Sequence, residues 1–404
     1  MPGIVEFPFV VRQAVETFGH LFANEPERRH FAEYLTGLFV AQRKNVSGIN
    51  AEFASTTDQS CLNRWITEVP WNEVELNETR LEWLPQHPST RYSPRGVIPL
   101  DNVLINHEGK LIEDVGCFLD HADQRYLIAQ EVLILNYVCS SGKHYPLEFR
   151  RFRKQEDVPQ EDFKNHTVLS KELVDWVIAH HIPGDFTFDS YFTHHELLNP
   201  IHVQERGYVG DLKFNRKVLF EGWEMKASEV ATRILPESRK PIEIDGRRQG
   251  YFTRALRIPK VQHPARLVIL WDRKNAKEAA KILVTNRVTW EVTRILGVYR
   301  QRWTGTETFH RDGKRHLGLG DCQLRNGQGQ TRHLYLVFLA YSLLVSQMRQ
   351  GCLREWMKHL VTTIGEACRN IVRETLGNTI TWAIERVIFD GWPPHKVRKY
   401  LALI

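Results

Sequence analysis

The residues best equipped for chemistry lie between Tyr299 and Arg325, where one acid, Glu307, stands among Arg300, Arg302, Arg311, Lys314 and Arg325. Glu307, Arg311 and Lys314 are spaced four and then three apart, so on a helix they share a face. Such a pattern also fits a solvated helix with charge pairs worth little. Here, however, Tyr299, Trp303 and Phe309 interleave with the bases, and Gly305 and Gly313 sit inside the run although glycine disfavours helix. Cations gathered around one carboxylate suit a site that holds both a metal ion and phosphates.

Two further acids have settings that need explanation. Asp101 lies in an apolar strand among Ile98, Leu100, Leu104 and Ile105. A carboxylate there is costly unless it is paired, bonded to backbone or coordinating a metal. Asp189 closes the short apolar strand Gly184 to Asp189, at the strand end where α/β folds open their sites. A helix cap is the alternative role for Asp189.

These residues carry a resemblance. The segment resembles the signature of bacterial insertion-sequence DDE transposases, in the branch whose order is Tyr, two residues, Arg, three residues, Glu, six residues, Lys. Tyr299, Arg302, Glu307 and Lys314 give gaps of two, four and six. The resemblance implies a ribonuclease-H-like core in which Asp101, Asp189 and Glu307 are catalytic and hold two Mg²⁺ ions, with Mn²⁺ as a substitute. Asn102 and Val103 depart from the family's Asp-Asp-Thr at the first acid. Tyr299, Arg302, Arg311, Lys314, Gln323, Arg325, Lys213 and Arg216 are then expected on DNA. A mostly β insertion is implied between the second and third acids. Water would cut a transposon end, and the freed 3′-OH would join it to target DNA, with two ions roughly 3.5–4 Å apart serving both steps.

The one-residue excess between Arg302 and Glu307 has a local consequence. In a regular helix it rotates Glu307 by about 100° relative to Arg302. Thr304, Gly305 and Thr306 are what a wide turn or short break tolerates. Such a turn at Gly305 returns Arg302 to the Glu307 side, with Thr306 left to cap the next helical segment. An unbroken helix would put Arg300 there instead.

The elements that position these residues follow from periodicity. Residues 1–93 read as a helical DNA-binding domain. A helix-turn-helix candidate spans residues 45–67, with Thr57 as the second helix's cap, Leu62 and Trp65 as anchors, and Gln59, Asn63 and Arg64 turned outward to base edges. An ordinary helical hairpin is the alternative. Pro85, Pro88 and Pro94 mark a linker. Residues 94–350 change to strand periodicity: an antiparallel meander, a helix at Ser170 to His181, the Asp189 strand, a second helix and the strand Tyr208 to Phe214. The meander's second strand reads as Lys110 to Leu119. This element order is that of an α/β fold, and the resemblance makes it a ribonuclease-H-like core with a β-rich insertion at about 217–285. Trp223 in that insertion reads as a packed aromatic, with stacking on a base as the alternative. A helix at Gln330 to Arg349, apolar nearly all round, reads as buried. Residues 351–404 read as a helical tail beginning at Cys352.

Composition bounds the rest. The chain has 404 residues, net charge +6, 42% hydrophobic and 25% charged residues. This is ordinary for a globular protein and suits a polyanion partner. Six scattered cysteines form no Cys-x-x-Cys pair, which argues against a zinc site or disulfide framework. No apolar run approaches a membrane span, and no Walker-type loop or His-Glu-x-x-His occurs. The expectation is a protein of the bacterial cytoplasm and nucleoid. Its partner is double-stranded DNA, transposon ends and target, with no ATP and no membrane, and it is a homodimer or higher in the DNA complex. Two rivals stand beside this reading: a ribonuclease-H-like nuclease that cuts without joining, and a domesticated, non-catalytic DNA-binding protein.

Overall fold

A computed structural model of the chain describes residues 3–120, 123–348 and 361–402. The start of the expected tail at Cys352 and the expected helix end at Arg349 lie outside the described residues. The chain opens with α1 (Phe9–Phe18), α2 (Glu25–Val40), α3 (Val46–Asn50), α4 (Gln59–Thr67) and α5 (Glu73–Trp83). It continues through β1 (Val97–Asn106), β2 (Gly116–Asp120), β3 (Arg125–Val138) and β4 (His144–Phe152). Next come α6 (His166–Ala179), β5 (Asp185–Phe188), α7 (His195–Val203) and β6 (Tyr208–Asp211). The strand-rich stretch contains β7 (Lys217–Phe220), β8 (Trp223–Lys226), α8 (Ala227–Arg233), β9 (Lys240–Ile244), β10 (Arg247–Leu256), β11 (Ala265–Trp271) and β12 (Lys281–Thr285). The chain ends with α9 (Val292–Arg302), a π-helical turn Trp303–Glu307, α10 (Thr308–His316), α11 (Gly327–Gln347), α12 (Ile364–Ile388) and α13 (Pro394–Tyr400).

Two compact units emerge, and neither is a continuous stretch of chain. The first joins residues 1–91, 104–131 and 308–404; the second joins 92–103 and 132–307. The first is a mixed bundle organised on α11, which is buried nearly all round, as its sequence implies. Helices α2, α4 and α5 pack on it. Two of its buried cations, Arg80 and Arg332, are satisfied internally. Arg80 bonds Asn77 and the Ser342 hydroxyl at 2.8 Å. Arg332 donates to Glu73 and to the carbonyls of Ile66 and Trp71. Buried cations need such partners, because an unpaired charge in an apolar core is prohibitive.

In the same unit, α3 and α4 occupy the helix-turn-helix position. The cap of α4 is Asp58 rather than the expected Thr57: its carboxylate accepts the Ser60 N–H at 2.9 Å. An ionised carboxylate one residue nearer the helix makes the stronger cap. Leu62 and Trp65 are buried as expected. Gln59 and Arg64 are exposed, and Asn63 is half-buried.

The second unit is built on a sheet with the strand order β1-β5-β6-β12-β11-β10-β9. Strands β1, β5 and β6 are parallel neighbours. From β6 outward the pairing is antiparallel through β12, β11, β10 and β9. The strands of the stretch read as an insertion thus largely extend the central sheet, and only β7 and β8 form a separate hairpin. Trp223 starts β8 and is 73% exposed, not packed. Two expected strands are shorter than their apolar runs. The second strand of the meander begins at Gly116 rather than Lys110, after Asp114 takes a left-handed turn at φ 63°. β6 stops at Asp211.

Helix α9 lies on this sheet because Val292, Ile295 and Tyr299, at spacings of three and four, form one apolar stripe. They pack with Val209, Val268, Leu270 and Leu283 from β6, β11 and β12.

Candidate active site

The parallel register places the acids. Leu100 of β1 pairs with Phe188 of β5, and Phe188 pairs with Gly210 of β6. One residue further along each strand stand Asp101, Asp189 and Asp211. Neighbouring strands lie roughly 4.8 Å apart, so this register sets three acids side by side across the sheet. In-register residues of parallel strands also share a face. Gly210 is what lets the chain after Asp189 pass close over β6. A Cβ there would meet the Thr193 hydroxyl at 2.5 Å and the Phe188 ring at 2.9 Å.

Asp101 is 8% exposed. Its Oδ2 accepts from the Arg302 guanidinium at 2.6 Å and from the Thr306 hydroxyl at 3.3 Å, and its Oδ1 accepts the Asn102 N–H at 3.0 Å. Burial pushes its pKa up to about 7. Arg302 opposes that rise, while the charges of Asp189 and Glu307 add to it. The three expected acids therefore share one electrostatic environment.

Asp189 directly follows β5 and is half-buried. Its Oδ1 accepts the N–H groups of Tyr191 at 2.9 Å and Phe192 at 3.4 Å, which shapes the turn leading to α7. It does not cap α7, whose N-cap is His194. Glu307 is exposed and ends the π turn.

The wide turn is present at Trp303–Glu307. A π turn closes i to i−5, so it absorbs one residue without breaking the helix. Gly305 is required at its centre: a Cβ there would lie 2.4 Å from Pro99 Cγ of β1 and 2.9 Å from Val138 Cγ2 of β3. With the extra residue absorbed, Arg302 reaches Asp101. Arg300 instead pairs with Asp245 at the surface. Thr306 does not act as the expected cap; its hydroxyl donates back to the Arg302 carbonyl at 2.8 Å and also reaches Asp101.

Tyr299 is buried, and its hydroxyl donates to Asp211 at 3.2 Å. Lys281 donates to Tyr299 at 3.2 Å and to Asp211 at 3.4 Å. Burial raises the Asp211 pKa, Lys281 and Tyr299 lower it, and the Asp189 charge raises it again. Asp211 and Lys281 belong to this constellation although sequence reasoning passed over them, and Thr306 belongs to it through Asp101 rather than as a cap. Asp211 lay inside the strand expected from Tyr208 to Phe214, and only the observed end of β6 shows it in the same position as Asp189. Tyr299, expected on DNA, is turned inward to these partners.

The remaining expected DNA contacts fall into two groups. Lys213 and Arg216, in the second unit, flank the Asp189 turn: the Lys213 ammonium lies 5.6 Å from the Tyr191 ring centroid and Arg216 donates to the Thr193 carbonyl at 3.3 Å. In the first unit, Arg311 is exposed and pairs with Asp312 at 3.0 Å, and Lys314 donates to the Leu104 carbonyl at 2.7 Å. Gln323 and Arg325 are exposed there. Arg64 leans on Cys61 within α4.

The donor set fits a hard divalent cation. Carboxylate oxygens are the ligands Mg²⁺ prefers, and Asp101 feels the negative charge of two neighbouring acids as well as the attraction of Arg302. Among the described residues, no three His, Cys, Asp or Glu side chains already stand as a closed cluster. Arg302 and Thr306 hold one Asp101 oxygen and the Asn102 N–H the other. Arg302 is thus the internal counter-charge for that carboxylate.

Comparison with known proteins bears on what such a site serves. Residues 164–343, which include Asp189, Asp211 and Glu307, match the family model described as a transposase DDE domain. No curated protein matches the chain. Among solved structures, the piggyBac transposase, determined by cryo-electron microscopy as a synaptic complex with hairpin DNA, is similar in fold with a TM-score of 0.51. That likeness covers 94% of this chain and 76% of the other at 13% identity. The family match supports a transposase of the DDE kind, and the structural likeness shows a shared mixed α/β fold.

Proposed function

We propose that this protein is the DDE transposase of an insertion sequence, with a ribonuclease-H-like core that cuts the element's ends and joins them to target DNA. The observation that carries the reading is the register of β1, β5 and β6 together with the π turn. Arg302 is bonded to Asp101 there, and the charges of Asp189 and Glu307 act on the same carboxylate, which supports reading the three acids as one site. In this reading those three acids are catalytic and would hold Mg²⁺ or Mn²⁺. Divalent cations at such carboxylates supply activation of an attacking oxygen and charge stabilisation at the leaving 3′ oxygen.

The chain's own residues set up the reaction. Arg302 lowers the proton affinity of Asp101, which would otherwise stay neutral at its buried position. The Tyr299–Asp211–Lys281 cluster fixes α9 on the sheet and so fixes where Arg302 and Glu307 emerge. Arg311, Lys314, Gln323 and Arg325 are offered to DNA phosphates, and α4 offers Gln59, Asn63 and Arg64 to the terminal inverted repeats. In cutting, the oxygen of water bonds to phosphorus and the bond to the 3′ oxygen breaks. In joining, that 3′ oxygen bonds to a target phosphorus and expels a target 3′ oxygen. Double-stranded DNA is the partner, consistent with the DNA-bound state of the structural neighbour, and a homodimer or larger assembly would hold two ends. No helix among the described residues is long and apolar enough to cross a membrane.

The test is incubation with labelled end DNA, Mg²⁺ and a plasmid target. Joined products support the transposase; cut but unjoined DNA would make it a nuclease, and binding alone a non-catalytic DNA-binding protein.

A further inference from the structure

A cavity of about 470 Å³ in the second unit is lined by basic side chains beside the Asp189 turn. Lys213, Arg216, Lys217 and Lys260 line it, together with His194 and His195, and no Asp or Glu does. Lys217 is drawn off by Glu224 at 2.8 Å. The Lys260 ammonium has no acidic partner among the described residues. Its backbone is held in the left-handed region at φ 68°, where a lysine is disfavoured. The tether is Asn199 of α7, whose side chain donates to the Lys260 carbonyl and accepts the Gln262 N–H, each at 3.0 Å.

Three features say what would occupy this space. Lys213, Arg216 and Lys260 leave a net positive charge that an anion would neutralise. The start of α7 borders the cavity at His194 and His195 without a side-chain cap, and its positive end is only partly offset by Glu196 in the first turn. Pro259, exposed, and Val261, half-buried, add an apolar wall together with the buried Leu198, Leu212 and Ile258, which a bare inorganic anion would leave unused and a sugar would cover. The wall is tied to the acids as well, because the Thr193 hydroxyl donates to the Asp189 carbonyl at 2.8 Å.

We propose that this cavity is a subsite for one nucleotide of the DNA backbone, its phosphate held by Lys213, Arg216 and Lys260 and its sugar against the apolar wall. The proposal rests on DNA as the substrate and adds a second anchor to it, beside the Asp189 turn.

The experiment measures binding of the full chain to a random duplex at 50 and 200 mM salt, for wild type, Lys260→Gln and the double variant Lys213→Gln/Lys260→Gln. Arg216 is left intact because it braces the Thr193 carbonyl. Each lost phosphate contact lowers the salt slope by about 1, so over this fourfold range of salt the loss of affinity shrinks by about 3.5-fold per contact. The expected result is a slope smaller by about 1 in the single variant and about 2 in the double, with unchanged thermal melting. Slopes equal to wild type would overturn the subsite while leaving DNA joining untouched. If wild type binds no DNA, the functional reading falls and the subsite with it. Inorganic phosphate alone is the last arm: saturable micromolar binding would make a free anion the ligand and overturn the proposal.

Discussion

Replacing Arg302 with methionine removes the guanidinium whose attraction opposes burial and like charge at Asp101, while keeping most of the side chain's volume. In the wild type, Asp101 titrates near pH 7, raised by burial and by the charges of Asp189 and Glu307 and lowered by Arg302. A cation beside a carboxylate typically holds its pKa down by about 1–3. Losing it carries Asp101 to roughly 8–10. At pH 7 the ionised fraction then falls from about one half to between a tenth and a thousandth, a loss of about 5- to 500-fold. Protonation also limits the structural damage, because the carboxyl stranded in the core can neutralise itself rather than remain as an unpaired charge. The direct assay follows the Asp101 carboxyl carbon by NMR in metal-free protein labelled at aspartate, assigned by its disappearance in Asp101→Asn. The expected titration midpoint moves up in Arg302→Met, and Mg²⁺-dependent cleavage lost at pH 7 partly returns as the pH is raised. A midpoint that stays near 7, or a loss of cleavage that no pH restores, would refute the assignment of Arg302 as the group that keeps Asp101 ionised.

Other outcomes rest on the same geometry. Gly305→Ala gains about 1 kcal/mol of helix propensity but forces a Cβ against Pro99 and Val138, an overpacking that costs about 1–3 kcal/mol; urea denaturation should show net destabilisation or none, and clear stabilisation would contradict the close approach. Tyr299→Phe removes a hydroxyl bonded to Asp211 and Lys281, so denaturation should show a loss of about 1–3 kcal/mol, because the partners are left partly unsatisfied. His333 is fully buried between Tyr34 and the Gly318 carbonyl, and burial drives its pKa down to about 4. Because the unfolded chain protonates it first, its share of stability is complete above about pH 6.5 and is lost as pH falls toward 4; His333→Gln should flatten that part of the pH–stability curve relative to wild type. Arg64→Ala should reduce the preference for specific ends over random DNA by about 1–3 kcal/mol if it touches a base, and a uniform drop in affinity would place it on phosphate.

How far the sequence revealed this arrangement depended on whether the deciding contact was local. The element order around Asp101 and Asp189 was legible because apolar runs of strand length alternate with helix-period segments. The π turn was legible too, since one surplus residue beside a glycine has few ways to be absorbed in a helix. Contacts fixed by register were not. Nothing in the run from Tyr208 to Phe214 announces that Asp211 stands next to Asp189; that requires knowing that β5 and β6 are parallel and which residues pair. The same gap turned Tyr299 from an expected DNA contact into a buried partner of Asp211. Trp223 failed in the opposite direction: hydrophobicity implied packing, but the β7–β8 hairpin supplies too little surface to bury an indole. The division into units was also hidden, because α11 gathers the N-terminal helices around itself from the far end of the chain.

Everything proposed for the chemistry depends on Asp101, Asp189 and Glu307 forming one divalent-cation site for phosphodiester cleavage and joining. A crystal structure of the protein with end DNA and Mn²⁺, read by anomalous scattering at the manganese edge, examines that site without an intermediary. Manganese should be bound by oxygens of these three carboxylates beside a DNA phosphate, with Arg302 released from at least one Asp101 oxygen. Ordered end DNA whose scissile phosphate and manganese lie on other residues would contradict it.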